Sequence, residues 1–261
     1  MPESEQQEMY KGTIQFRARI KGNGLSFPEL TFSPNEVGVE KVEIASQNGN
    51  EITSVVHVTA VPTEEAGRAI ASKVNTTALD RLSFLYNIAI ENGEITDSQF
   101  TSLNPPPGHH LRAGHATMTA TGGVVNAVRG FSADRIKADL EQESPISEQY
   151  FGLFRSARLS ESPVEEFIHL YNLLLMLIGD LQKPVDDFIM REVPTTQLGP
   201  SGNPKAKAGE TETIYTRLRN ELGHHRKGVN LNTTKADMAK CVGDLATLTK
   251  KAIELYHKKE D

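Results

Sequence analysis

The feature that most restricts how this chain can fold is a change of hydrophobic period at Pro62. Before it, "KGTIQFRARIK" over residues 11–21 sets Ile14, Phe16, Ala18 and Ile20 on one side and Gln15, Arg17 and Arg19 on the other, the two-residue alternation of a half-buried strand. "GVEKVEIAS" (38–46) and "ITSVVHVTAV" (52–61) repeat the pattern, with "KGNG" (21–24) and "SQNGN" (46–50) as turn signals between runs. After Pro62 the alternation stops. Residues 63–93 bring Ala66, Ile70, Val74, Leu82, Leu85 and Ile88 round at helical spacing, as one helix or as two with a break near Asn75, with Gly93 as the stop.

This switch predicts an α+β protein: a small antiparallel β domain over residues 1–62, a helical and loop connector over 63–146, and a mainly α-helical bundle over 147–261. Within the connector, residues 101–131 hold three consecutive prolines and several glycines with little apolar period, and read as a long loop or short strands. His109, His110 and His115 fall there without the cysteine or carboxylate company that metal ligation needs. A solvated or interface loop is the default reading, and a metal site shared with His224 and His225 the alternative.

Charge and cysteine content narrow the function classes. The single cysteine, Cys241, excludes an intrachain disulfide and points to a reducing, cytoplasmic setting. "MPESEQQEMYKGT" has no basic and apolar leader pattern. The most apolar run, Phe167–Leu181, is shorter than the ~20 residues a membrane span requires, so no membrane is expected. Residues 1–146 carry 12 Lys and Arg against 18 Asp and Glu, and residues 147–261 carry 16 of each, so an anionic partner would be met at one local site.

The second half reads as helices throughout, around a central buried one opening at Pro163, with a polar linker at 194–210. A helix over about 210–222 ends at Gly223, and a last helix begins near Thr233 or Thr234, with Asp237 completing a capping box. On the first of these, Ile214, Leu218 and Leu222 form the docking face, Glu212, Tyr215 and Arg219 share another, and Asn220 points away from the leucines. His224 follows the glycine stop. Cys241 on the last helix, beside the stripe of Met238 and Leu245, reads as core and not as a nucleophile.

An arginine fork for phosphate and a histidine that titrates near neutrality are the parts of metal-independent RNA cleavage: a base for the 2′-hydroxyl, an acid for the leaving 5′-oxygen and a cation for the phosphorane. One Arg and one His are too few, and a symmetric dimer would double them. The segment "RNELGH", Arg219 to His224, resembles the R-polar-x-x-x-H motif of the HEPN superfamily (higher eukaryotes and prokaryotes nucleotide-binding), and the helical layout of residues 147–261 resembles that domain as well. A sheet domain ahead of it is similar to the architecture of ApeA-type antiphage nucleases and of the methylamine-utilisation accessory protein MauJ.

The resemblance implies a homodimeric, cytoplasmic ribonuclease of toxin or antiviral-defence type, with RNA as substrate, a defence-system partner protein, and no metal or cofactor. Arg219 and His224 would be catalytic and Asn220 would position them, with His225, Arg226, Lys227 and Arg217 as RNA contacts and Glu212 and Tyr215 in support. The tyrosine that some family toxins carry two residues after the histidine is absent, since Arg226 stands there. A non-catalytic dimerising, RNA-binding or ligand-sensing scaffold is the alternative.

Overall fold

The computed structural model describes residues 8–104, 113–116, 125–201, 209–223 and 229–256. The chain is α+β and divides into two compact units, Met1–Glu143 and Ser144–Asp261.

The first unit is organised by one long strand, β1 (Tyr10–Phe32), with β2 (Val39–Ser46) and β3 (Glu51–Val61) beside it. The "KGNG" segment is not a turn. Gly22 takes a left-handed φ of 76°, and β1 continues through it while exchanging partners. Its first half pairs antiparallel with β3, and its second half, Phe27–Phe32, with β2. Because β2 also pairs with β3, the three strands close on one another around Ile14, Phe16, Leu25, Phe27, Ile44 and Val56, all at most 3% exposed. "SQNGN" is the turn expected of it, between β2 and β3.

Residues 63–143 of the expected connector belong to this same unit, and 144–146 to the second. A single helix, α1 (Glu64–Tyr86), starts where the Thr63 side chain accepts from the Ala66 N–H and ends at Asn87, which is left-handed at φ 52° and ψ 51°, six residues short of Gly93. There is no break at Asn75, whose buried Oδ1 accepts a 2.7 Å bond from the Ser54 hydroxyl. After α1 come β4 (Ala89–Ile90) and β5 (Glu94–Ser102), both paired with β1. β6 (Ala113–Ala116) extends the sheet beyond β5, and β7 (Val125–Gly130) runs parallel to β1 at Gly22–Ser26. Of the two readings of 101–131, a long loop or short strands, the described residues show short strands; His109 and His110 lie outside the described residues. A helix, α2 (Ala133–Glu141), is tied to α1 by the Tyr86 hydroxyl, which donates to Asp139, and by Arg81, which donates to the Asp139 and Gln142 carbonyls.

Gly12 shows how tightly β5 is seated. A Cβ there would lie 2.3 Å from the Gln99 carbonyl oxygen and 2.7 Å from the Phe100 ring. Gly12→Ala is expected to destabilise the chain by about 2 kcal/mol, read as a lower urea midpoint at an unchanged slope, because a backbone carbonyl cannot move aside as a side chain can. An unchanged midpoint would show that the β1–β5 ladder has room to separate.

The second unit holds α3 (Glu148–Arg158), α4 (Pro163–Ile178), α5 (Gln182–Glu192), α6 (Ile214–Gly223) and α7 (Leu231–Tyr256). The expected central helix is α4: Ser162 caps its N-terminus and Pro163 opens it. It packs against α7, and Phe167, Leu170 and Leu174 on α4 and Met238, Leu245 and Ala252 on α7 are all fully buried. Two helix starts differ from the sequence reading. The 194–210 linker contributes a strand, β8 (Leu198–Pro200), which pairs with β9 (Thr211–Thr213), so α6 begins at Ile214 and not near Glu210. The last helix is capped by Asn230, whose Oδ1 accepts from the Asn232 and Thr233 amides; Thr233, Thr234 and Asp237 form no capping box at its start. Among the described residues no helix is long and apolar enough to cross a membrane.

Candidate functional site

The start of α6 is fixed by a carboxylate from another helix. Asp186 of α5 is the acceptor for three donors at one oxygen: its Oδ1 lies 3.2 Å from the Thr213 amide, 2.6 Å from the Thr213 hydroxyl and 2.6 Å from the Thr216 hydroxyl. The Thr213 Oγ1 in turn accepts from the Thr216 N–H at 3.4 Å, the geometry of an N-cap. With its proton committed to Asp186, Thr216 accepts from the Tyr171 hydroxyl at 2.6 Å, so the chain of bonds runs from the buried face of α4 through α6 to α5. Burial raises the Asp186 pKa first, the three hydrogen bonds pull it back, and the nearby Glu212 raises it further. Burial likewise raises the Tyr171 hydroxyl and keeps it protonated.

These facts give a pH prediction. The unfolded Asp ionises near the ordinary ~3.9 and the folded one later, so between those values the folded state holds the extra proton and stability falls as pH rises. Asp186→Asn keeps an oxygen for the three donors and removes the buried charge. Its melting temperature relative to the parent is expected to rise as pH is taken from 3 to 7, whereas Asp186→Ala, which strands the donors, loses about 1–3 kcal/mol. A difference between parent and Asp186→Asn that is flat in pH would contradict this.

Further along α6, Leu218 is fully buried, and Ile214 and Leu222 are half-buried. Tyr215 does not support Arg219. Its ring lies in the core, stacked on Phe167 with centroids 6.4 Å apart, and burial, with Asp244 and Cys241 nearby, pushes its hydroxyl up to about 12. Asn220 also departs from expectation: it is 3% exposed and faces inward. Its Oδ1 accepts from Gln182 Nε2 at 2.8 Å and from Arg219 Nη1 at 3.2 Å, and its Nδ2 donates to Gln182 Oε1 and Glu212 Oε2 at 3.3 Å each. All four hydrogen-bonding positions of the amide are used. Asn220 therefore joins Arg219 to Glu212, and Glu212 does this from β9, not from a helix face shared with Arg219.

Arg219 is half-buried and lines an open cleft of about 1300 Å3 with Gln182, Asp186, Glu212 and Thr216. The Arg219 fork thus has one nitrogen engaged with Asn220 at the rim of a space large enough for a nucleotide. The surroundings are carboxylate-rich: Asp180, Asp186, Asp187, Glu210 and Glu212 line the cleft with Lys183 and Arg219, and Lys183 is paired with Asp187 at 3.2 Å. Arg217, expected to meet RNA, leans along the helix towards Glu221 at 3.8 Å, a half-buried pair one helical turn apart. Glu221 also accepts from the Thr234 hydroxyl at 2.8 Å, which joins α6 to α7 across the segment that carries the motif histidine.

His224, His225, Arg226 and Lys227 lie outside the described residues. Cys241 is half-buried, its thiol raised by burial and by Asp244 and Asp237, which is the opposite of an activated nucleophile. Among the described residues no group of His, Cys, Asp or Glu has the arrangement to hold a metal ion. Gln182 was missed by sequence reasoning, because it stands 38 residues from its partner Asn220 with no motif around it. No protein-family model matches the chain, and no curated protein or solved structure matches it either.

Proposed function

We propose that the second unit is a metal-independent endoribonuclease of the HEPN type, acting as a homodimer in the cytoplasm. The observation that carries this reading is the Arg219 guanidinium, steadied by buried Asn220 and facing an open cleft at the end of α6. In the reaction, a histidine, His224, takes the proton of the RNA 2′-hydroxyl as that oxygen attacks the phosphorus. The P–O5′ bond breaks, and the 5′-oxygen leaves with a proton from the histidine of a second copy. Arg219 stabilises the crowded, doubly charged phosphorane. The products are a 2′,3′-cyclic phosphate and a 5′-hydroxyl. Single-stranded RNA incubated with the full chain in EDTA is expected to be cut with those ends, and cutting is expected to follow dimer concentration. RNA left intact both with and without added divalent metal ends this reading.

The carboxylates around the cleft favour a second one. Phosphates approaching Arg219 would meet Asp180, Asp187 and Glu210 as well, so a non-catalytic scaffold that dimerises and takes a ligand other than RNA is the competing function. A dimer that neither cuts nor shifts labelled RNA in a gel would support it.

A further inference from the structure

We infer that Gln182, at the first turn of α5 and outside the R-polar-x-x-x-H motif, is a positioning residue for Arg219, acting through Asn220; this rests on the ribonuclease reading of the site. The Arg219 side chain is long and half-buried, and the acceptor its Nη1 uses, Asn220 Oδ1, is itself on a side chain. Of the two donors on that oxygen, Gln182 Nε2 is the nearer, at 2.8 Å against 3.2 Å. The bond is reciprocated by Asn220 Nδ2 to Gln182 Oε1, so the two amides lock edge to edge and the plane of the Asn220 amide is set by α5.

The backbone that delivers Gln182 is itself constrained. α4 ends with two successive left-handed residues, Gly179 at φ 114° and Asp180 at φ 59°, whose amides both return to the Leu175 carbonyl, at 3.0 and 2.7 Å. Leu181 is extended at φ −118° and ψ 138°, and α5 begins at the next residue. A turn folded back by two hydrogen bonds offers the Gln182 amide little freedom. Asn220 Oδ1 is then presented to Arg219 at a fixed place, and a guanidinium held this way keeps its remaining nitrogens free for a phosphate without reorganising.

The near-isosteric Gln182→Glu separates this role from packing, since it keeps the shape and removes the donor to Asn220 Oδ1. In the full chain, Gln182→Glu and Gln182→Ala are each expected to lower kcat for RNA cleavage 10- to 100-fold with KM within twofold. In 15N-labelled protein the Asn220 side-chain amide and Arg219 guanidinium signals are expected to shift in both variants. Cleavage by Gln182→Glu at the parent rate, or Asn220 and Arg219 signals unmoved by it, would overturn the inference. Should the parent chain cut no RNA, the ribonuclease reading alone falls, and the nitrogen spectra still decide whether Gln182 holds Asn220 and Arg219.

Discussion

Arg219→Ala is expected to lower RNA cleavage at least 100-fold while leaving the fold in place. The size follows from what the guanidinium does: removing one preorganised charge donor from a phosphoryl transition state costs about 3 kcal/mol or more, and each ~1.4 kcal/mol is tenfold in rate. The fold survives because Arg219 is half-buried and only one of the two bonds at Asn220 Oδ1 is its own. Arg219→Lys is the sharper variant. An ammonium is a compact charge on a flexible stem, and it cannot reach Asn220 and a phosphate in one plane as a guanidinium does. It is expected to recover less than a tenth of the parent rate while matching parent affinity for RNA in EDTA. The measurement is single-turnover cleavage of a labelled RNA, with circular dichroism melts as the control. Cleavage by Arg219→Ala at the parent rate would remove the residue from the chemistry.

Parts of this architecture were open to reading from the chain. Alternation of apolar residues marked β1, β2 and β3 because one face of each is buried, and the stripe of Met238, Leu245, Thr249 and Ala252 marked α7 because its core is one-sided. β5 escaped notice because "EITDSQFTS" buries one residue, Phe100, and a strand with one buried residue has no period to see. The continuation of β1 through "KGNG" was hidden for another reason: glycines that signal a turn also permit a bend within a strand, and only the partners on either side distinguish the two.

The site divides the same way. Arg219 and Asn220 were visible as a motif on a helix that ends in glycine. The inward direction of Asn220 was not, because a polar residue in an amphipathic helix reads as solvent-facing until buried partners for it are known. Those partners, Gln182 and Glu212, lie on α5 and β9, and no local spacing links them to α6. The start of α6 was misplaced for a related reason. Its cap, Thr213, is held by Asp186 from a different helix, and the residues before it are paired with β8.

Asn220→Ala is expected to be the most destabilising substitution at the site, by about 3–4 kcal/mol, whatever it does to activity. The loss has two sources. The side chain is 3% exposed, so its removal leaves a cavity, and it takes away the four hydrogen bonds that tie Gln182, Arg219 and Glu212 together. The Glu212 carboxylate, itself 3% exposed, loses a donor, and a buried charge deprived of one is the costlier part. Asn220→Asp separates the two sources, since it fills the cavity but turns the donor facing Glu212 into a second carboxylate. Burial and like charge beside Glu212 raise the pKa of the new acid, against the opposing pull of the Arg219 guanidinium, and together hold it above its ordinary value. Its ionisation in the folded state then lags the unfolded one, and the variant loses stability as pH rises through that range and regains it in acid. Asn220→Ala carries no such group and is expected to show a loss nearly independent of pH. Urea unfolding at pH 5 and pH 8 distinguishes them: a loss for Asn220→Asp that grows from pH 5 to pH 8 while the loss for Asn220→Ala stays constant supports the buried amide as the link between Arg219 and Glu212. Equal losses at both pH values would mean that Asn220 faces water, and that the motif polar residue acts at the surface as the sequence first suggested.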